Sequence, residues 1–148
     1  MNTLEEVLDA WQEDCQIPRT DLAETSRITP NVHAKYMSIL ANTKLRLKKA
    51  EMSQKTLLKQ KWLYYNGKMD RFEIEALGWD YDPLDGLKVM KGDMNHYYDS
   101  DKEIQESEMK IEYLKTMIST LTDIVDALKW RHQTIGNMIR WKVFESGG

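Results

Sequence analysis

The sequence predicts an all-α protein in which long helices pack as a helical hairpin or coiled coil around an irregular connector. Two patterns carry this prediction. An apolar heptad repeat runs from Ser100 to about Phe144, and a second apolar stripe at helical spacing runs from Thr29 to Tyr65. At 148 residues the chain fits one domain. We divide it into N-terminal helices (1–65), a connector (66–99) and an oligomerisation helix with its tail (100–148).

The chain opens with a predicted short helix. Thr3 and Glu6 have the spacing of a capping box, in which the side chains of both residues satisfy backbone N–H groups at the helix start. Pro18 interrupts the helical pattern that follows. One face of this helix carries Leu4, Val7, Leu8 and Trp11.

A longer helix is predicted next. Thr20 or Asp21 can cap one turn, and Thr29 followed by Pro30 is a second start signal, because proline favours the first helical position. From there we expect one helix as far as Tyr65. Its apolar stripe requires a partner helix. The stripe consists of Val32, Tyr36, Ile39, Leu40, Leu47, Ala50, Leu57, Leu58 and Tyr65.

The opposite side of the same helix is strongly basic. The segment 35–71 holds ten basic and two acidic residues, whereas 72–126 holds five basic and fourteen acidic ones. Lysines at helical spacing line one edge, interrupted only by Glu51, and such a run of one charge favours binding of a polyanion over an ordinary solvated face. These lysines are Lys44, Lys48, Lys55 and Lys59.

Basic and aromatic residues alternate where this helix ends. Single-stranded nucleic acid is commonly held in this way, with cations on the phosphates and rings stacked on bases. The alternative is that Trp62 and Tyr65 belong to the core, although the turn at Asn66-Gly67 should leave at least one ring partly exposed. Lys61 lies on the apolar side, so we expect it at a rim or in a groove between subunits. The candidate residues here are Lys59, Lys61, Trp62, Tyr64 and Lys68.

The connector is the least regular part of the sequence. Residues 69–77 can form a short helix closed by Gly78. Asp80, Asp82 and Asp85 resemble a calcium loop, but Pro83 and the missing final glutamate break the required frame. Ser100 and Glu103 have capping-box spacing, which explains the acidic cluster near residue 100 as a helix start. We therefore expect no metal and no cofactor.

The C-terminal helix carries the heptad repeat, with Ile104 as the first a position. Met117, Ile124 and Met138 widen its apolar stripe beyond a two-stranded contact, which predicts a bundle or an oligomer. His132 occupies an a position, where a polar group specifies register more often than it performs chemistry. The candidate oligomerisation residues are Ile111, Leu114, Ile118, Leu121, Val125, Leu128, His132, Ile135 and Ile139.

Several classes of protein are disfavoured. Cys15 is the single cysteine, so no intramolecular disulfide framework or cysteine-rich zinc site can form. The first ten residues carry three acids and lack a secretory pattern, and no run of 18 apolar residues exists, so we expect a soluble intracellular protein without a membrane partner. We find no motif for a nucleophile, a phosphate loop or a catalytic metal, and predict no catalytic residues and no enzyme activity.

Two segments together resemble the UvsY recombination mediator proteins of T-even-type bacteriophages. They are Leu-Lys-Gln-Lys-Trp-Leu-Tyr-Tyr-Asn-Gly at 58–67, which follows the basic helix, and Arg-Trp-Lys-Val-Phe-Glu-Ser-Gly at 140–147. Similarity in order and length extends over nearly the whole chain. Lys59 and Lys61 match the family's two basic DNA-binding positions, of which the second is often arginine, and lysine lacks the planar fork of a guanidinium.

The resemblance implies a non-enzymatic, all-helical protein that forms rings of six or seven copies in the cytoplasm of the infected bacterial host. It implies binding of single-stranded DNA and loading of a RecA-like phage recombinase onto strands covered by the phage single-strand-binding protein. The connector at Trp79–Pro83 and the position of Pro30 depart from the T-even pattern. A second hypothesis remains open, a structural coiled-coil assembly protein without nucleic-acid binding, and salt-sensitive binding of oligonucleotides separates the two.

Overall fold

All regular elements within residues 1–147, which the computed structural model describes, are helices. The predicted all-α class is confirmed. The elements are α1 (Leu4–Asp14), α2 (Leu22–Tyr65), α3 (Arg71–Leu77), α4 (Met94–Ser100) and α5 (Lys102–Glu145).

The chain forms two compact units, and α2 and α5 contribute to both. The first unit combines Met1–Arg46 with the chain from Leu114 onward, and the second comprises Leu47–Tyr113. The first unit therefore contains α1, the first half of α2 and most of α5. The second contains the end of α2, the connector helices α3 and α4, and the start of α5.

The first unit has an apolar core between its three helices. Trp11 of α1 meets Tyr36 of α2 edge to face, with ring centroids 5.6 Å apart. Leu121 of α5 is completely buried. Parts of both stripes predicted from periodicity, residues 32–40 of α2 and 117–128 of α5, thus face this core. Its buried members are Val7, Tyr36, Met117, Leu121, Ile124, Val125 and Leu128.

The start of α1 agrees with its predicted cap. The Thr3 side chain accepts a hydrogen bond from the Glu6 backbone N–H at 3.1 Å. The Glu6 carboxylate accepts a hydrogen bond from the Asn2 N–H at 3.4 Å. Leu8 is 45% exposed, in contrast to the expected apolar face.

The second helix joins the turn predicted after Thr20 or Asp21 to the helix predicted from Thr29. It starts at Leu22, and Pro30 lies inside it. A proline inside a helix removes one backbone hydrogen bond. Here Leu22 and Thr25 are buried, and the Thr25 hydroxyl donates to the Asp21 carbonyl at 2.8 Å. Packing of this first turn outweighs the missing hydrogen bond at Pro30, which is why the Thr29-Pro30 start signal was wrong.

The second unit has a smaller core at the end of α2. Tyr64, Met69 and Ile74 are buried together, and Leu63, Tyr65 and Trp79 pack against them. Helix α3 begins where the Asp70 carboxylate accepts from the Glu73 N–H at 2.8 Å. It ends at Gly78, whose φ of 74° is left-handed, so the predicted glycine stop is confirmed.

The start of α5 differs from the prediction. Ser100 ends α4, an unpredicted helix, and its hydroxyl donates to the His96 carbonyl at 2.9 Å. Asp101 is the N-cap instead, because its backbone is extended and its carboxylate accepts from the Ile104 N–H at 3.1 Å. The two residues offer similar capping chemistry, and Asp101 additionally pairs with Lys61 at 3.0 Å.

The heptad residues of α5 divide by burial within the protomer. Ile118 is half-buried, whereas His132 and Ile139 are exposed. The His132 ring nitrogen Nδ1 lies 2.9 Å from the Lys129 carbonyl oxygen. His132 is therefore not part of the protomer core, and its expected role in a contact between subunits stays a prediction. The buried members of the predicted oligomerisation set are Ile111, Leu114, Leu121, Val125, Leu128 and Ile135.

Candidate nucleic-acid interface

One side of α2 in the second unit carries exposed lysines. Lys48, Lys55 and Lys59 are all exposed. None of them takes part in an ion pair with another described residue. Their spacing places all three on one side of the helix. Lys44, the fourth predicted lysine, is also exposed and belongs to the first unit.

Apolar side chains interleave with these cations. Met52 and Trp62 fall on the same helical side as the lysines and are 59% and 41% exposed. Sequence reasoning overlooked Met52, although its spacing of four from Lys48 and three from Lys55 marks the same side. We call this surface the lysine–tryptophan face, made of Lys48, Met52, Lys55, Lys59, Trp62 and Lys68.

Lys68 joins this face because the chain turns back after α2. Gly67 has a φ of 67°, a left-handed value that glycine adopts without strain. The Lys68 N–H then donates to the Leu63 carbonyl at 2.9 Å. As a result the Lys68 ammonium lies 4.6 Å from the centroid of the Trp62 ring. Trp62 keeps 41% of its surface exposed beside this cation–π contact.

Lys61 is placed differently from its predicted position at a rim. It is only 4% exposed. Its ammonium lies 3.0 Å from Asp101 Oδ2 and 3.6 Å from Glu103 Oε1. It also lies 3.8 Å from the centroid of the Trp79 ring. The cost of burying this charge is offset by two carboxylates and an aromatic ring within the same unit.

Asp101 is the central acceptor of this buried cluster. Its Oδ2 also accepts from the Tyr65 hydroxyl at 2.6 Å. Burial alone would raise the pKa of Asp101, but hydrogen bonds from Tyr65, Lys61 and the Ile104 N–H outweigh it and lower that pKa. The carboxylate is therefore held ionised. Burial, together with the hydrogen bond from its hydroxyl to Asp101, raises the pKa of Tyr65.

Tyr64, a predicted stacking residue, is also buried. It is 6% exposed, and its hydroxyl donates to the Asp80 carbonyl. Its ring lies 4.9 Å from the ring of Trp79. Burial raises the pKa of the Tyr64 hydroxyl. In this geometry the Tyr64 ring supports the connector and has no free side for a base, so of the predicted rings Trp62 alone is exposed on the lysine–tryptophan face.

Residues 1–147 contain no cluster of three or more histidine, cysteine, aspartate or glutamate side chains arranged to hold a metal ion. None of the helices in that range combines the length and apolarity needed to cross a bilayer.

A family model described as "Recombination, repair and ssDNA binding protein UvsY" matches residues 10–148. The chain belongs to the UvsY family. This confirms the resemblance seen in the 58–67 and 140–147 segments. No curated protein sequence matches the chain.

Solved structures from the same family share the fold. The chain resembles the crystal structure of the bacteriophage T4 recombination mediator protein UvsY in lattice type II, with a TM-score of 0.81 and 20% identity over 99% of both chains. The lattice type I structure gives a TM-score of 0.79 at 20% identity, covering 95% of this chain and 98% of the other. The arrangement of helices is thus that of the T4 UvsY fold.

Proposed function

We propose that this protein binds single-stranded DNA along its lysine–tryptophan face and acts as a recombination mediator. The exposed cations beside an exposed indole are the observation that carries the proposal. Lys48, Lys55 and Lys59 have no carboxylate partner among the described residues, so their charges remain available to phosphates. Trp62 offers one free ring side to an unpaired base.

The spacing of this face suits a flexible strand. Lys55 and Lys59 are one helical turn apart, about 6 Å, which is close to the separation of successive phosphates that an extended strand can adopt. A duplex would present phosphates to the lysines but no unstacked base to Trp62. We therefore expect the protein to prefer single-stranded over double-stranded DNA of equal length.

Membership of the UvsY family supports a finer role. We propose that the protein promotes loading of a RecA-like phage recombinase onto strands covered by the phage single-strand-binding protein. Holding the strand in a shape that weakens the covering protein would allow the recombinase filament to nucleate. The acidic segment 72–126 gives the protein a second, oppositely charged surface for protein partners. We propose on the same basis that the protein acts in the cytoplasm of the infected host.

We also propose that the protein works as a homo-oligomer joined through the end of α5. Several large apolar side chains there are exposed, including Trp141 at 61% and Phe144 at 71%. The rings of Trp141 and Phe144 stack on each other, with centroids 5.4 Å apart. Exposed apolar side chains of this size are typical of a protein interface. Repetition of the lysine–tryptophan face around a ring would convert weak contacts into tight binding of one strand. The exposed apolar residues at this end are Ile139, Trp141, Val143 and Phe144.

A salt titration tests the strand-binding site. We expect Lys55→Ala combined with Lys59→Ala to weaken binding of poly(dT) and to reduce the slope of log K against log salt by ~0.7 for each phosphate that the variant no longer neutralises. Fluorescence anisotropy of a labelled oligonucleotide at several salt concentrations gives both quantities. The mass of the assembly, measured by light scattering, must be the same for each variant.

The matched control removes a lysine elsewhere on a helix. Lys115 is exposed on α5, outside the lysine–tryptophan face, so Lys115→Ala changes the net charge without removing a proposed contact. We expect its salt slope to equal that of the wild type. Equal slopes for all variants would refute strand binding at this face and would favour the structural assembly hypothesis.

A further inference from the structure

We propose that Lys61 is a positioning residue that fixes the connector and the start of α5 against the end of α2, and does not contact the DNA. This inference rests on the proposed function, since it concerns how the same strand-binding surface is built. It assigns the two lysines of the Lys59-Gln60-Lys61 segment to different tasks. Lys59 contacts phosphate, whereas Lys61 holds the structure from which Lys68 reaches Trp62.

Helical geometry already separates the two lysines. Residues two apart on an α-helix point in directions that differ by roughly 200°. Lys59 is exposed, and Lys61 on the far side of α2 is 4% exposed. A strand lying along the side that carries Lys59 therefore cannot reach the Lys61 ammonium without passing around the helix.

The charges around Lys61 also oppose a phosphate contact. Asp101 and Glu103 both lie within 4 Å of its ammonium, so the three side chains together carry a net negative charge. The depression next to them, about 250 Å³, is also lined by Asp80 and Lys102. A phosphate entering there would meet the carboxylates of Asp101 and Glu103 beside the Lys61 ammonium. It would also have to displace the Trp79 ring, 3.8 Å from the Lys61 ammonium.

The contacts of Lys61 lead to the lysine–tryptophan face through a chain of packed groups. Its ammonium lies over Trp79, whose indole N–H donates to Glu103. Trp79 packs against the cluster formed by Tyr64, Met69 and Ile74. Met69 directly follows Lys68 in the sequence, so burial of Met69 fixes where Lys68 leaves the turn. Removal of the Lys61 ammonium should loosen this cluster and weaken the contact of Lys68 with the Trp62 ring, while the exposed Lys68 charge stays available to the strand.

The same substitution at both lysines distinguishes contact from positioning. Methionine keeps a long apolar side chain and removes the charge. We expect Lys59→Met to flatten the salt dependence by ~0.7 in log–log slope. We expect Lys61→Met to leave that slope unchanged, to lower the melting temperature, and to increase hydrogen exchange of the connector segment around Trp79.

Rescue variants separate positioning from general damage to the fold. Lys61→Arg keeps the charge and can pair with both carboxylates, so it should restore the exchange protection and the melting temperature. Adding Asp101→Asn to Lys61→Met removes the carboxylate left unpaired and keeps an N-cap side chain for α5. This double variant should recover stability relative to Lys61→Met, and it remains available if Lys61→Met alone fails to fold.

Each outcome decides the proposal. A salt slope for Lys61→Met, or for the double variant, that falls as far as that of Lys59→Met would overturn it, because Lys61 would then contact phosphate. Unchanged exchange and melting temperature in Lys61→Met would overturn it as well. Should Lys59→Met leave the slope unchanged, the proposed strand site fails, while the exchange and rescue measurements still judge the role of Lys61.

Discussion

Replacing Trp62 with leucine tests stacking separately from charge. Leucine keeps an apolar side chain on the helix and removes the aromatic surface. Stacking of a base on an aromatic ring contributes ~1–3 kcal/mol. Because the Trp62 side chain is 41% exposed and Lys68 covers one side of the ring, a single base can stack on the remaining side. We therefore expect the lower part of that range, about 1–2 kcal/mol, or a 5- to 30-fold loss of affinity per binding face.

The salt dependence identifies the physical origin of this loss. Trp62→Leu removes no cation, so the slope of log K against log salt should stay at the wild-type value while the affinity falls. Quenching of tryptophan emission on strand binding should decrease as well, because the chain has five tryptophans and the proposal places only Trp62 against the bases. Titration of unlabelled oligo(dT) followed by intrinsic fluorescence measures both effects.

A second tryptophan provides the control. Trp130 is 62% exposed on α5, so Trp130→Leu makes the same chemical change on another helix. Its effect on strand affinity should be small once the oligomeric state is shown to be intact. If Trp62→Leu binds and quenches as the wild type does, stacking at this face is refuted and the strand contacts only the lysines.

Two further predictions concern stability and assembly. Because the pKa of Asp101 is lowered in the folded state, the stability that its contacts provide is present at neutral pH and is lost as the pH falls through that lowered pKa. Chemical unfolding should therefore show that Asp101→Asn loses less free energy of unfolding between neutral and acidic pH than the wild type does. An equal loss of free energy in both proteins would contradict this. Trp141→Ser combined with Phe144→Ser should shift the sedimentation coefficient towards that of smaller species and lower strand affinity, whereas an unchanged sedimentation profile would refute assembly through the end of α5.

The long helices were predictable because their apolar residues recur at helical spacing over many turns. Tyr36 and Leu121 are buried where the two stripes predict. The start of α2 was not predictable in the same way, because Thr29-Pro30 carries a strong local start signal. Burial of Leu22 and Thr25, which depends on residues distant in sequence, overrides that signal. Local rules fail at this point because tertiary packing is the larger effect.

The candidate site was predictable on one side of α2 only. Lys59 and Trp62 are exposed as their spacing indicates. The sequence also showed that Lys61 falls on the apolar side and requires a partner. It could not show that the partner is Asp101, because Asp101 lies 40 residues further along the chain. The neighbouring Ser100 was also an equally good candidate for the N-cap of α5. The ion pair and the cap are two roles of one aspartate, and only the folded chain shows them together.

The helical phase of each lysine decides which positive charges of the basic segment remain available to a strand. Lys61 faces the interior of its unit and is neutralised by Asp101 and Glu103. Lys35, in the other unit, pairs with Asp14 at 2.7 Å. The lysines on the exposed side of α2 have no such partner among the described residues. Acidic residues from other segments therefore neutralise part of the basic segment 35–71. The lysines that they leave unpaired lie on the lysine–tryptophan face, which also exposes the indole of Trp62. An assembly role alone would not require that coincidence, whereas binding of a single strand does.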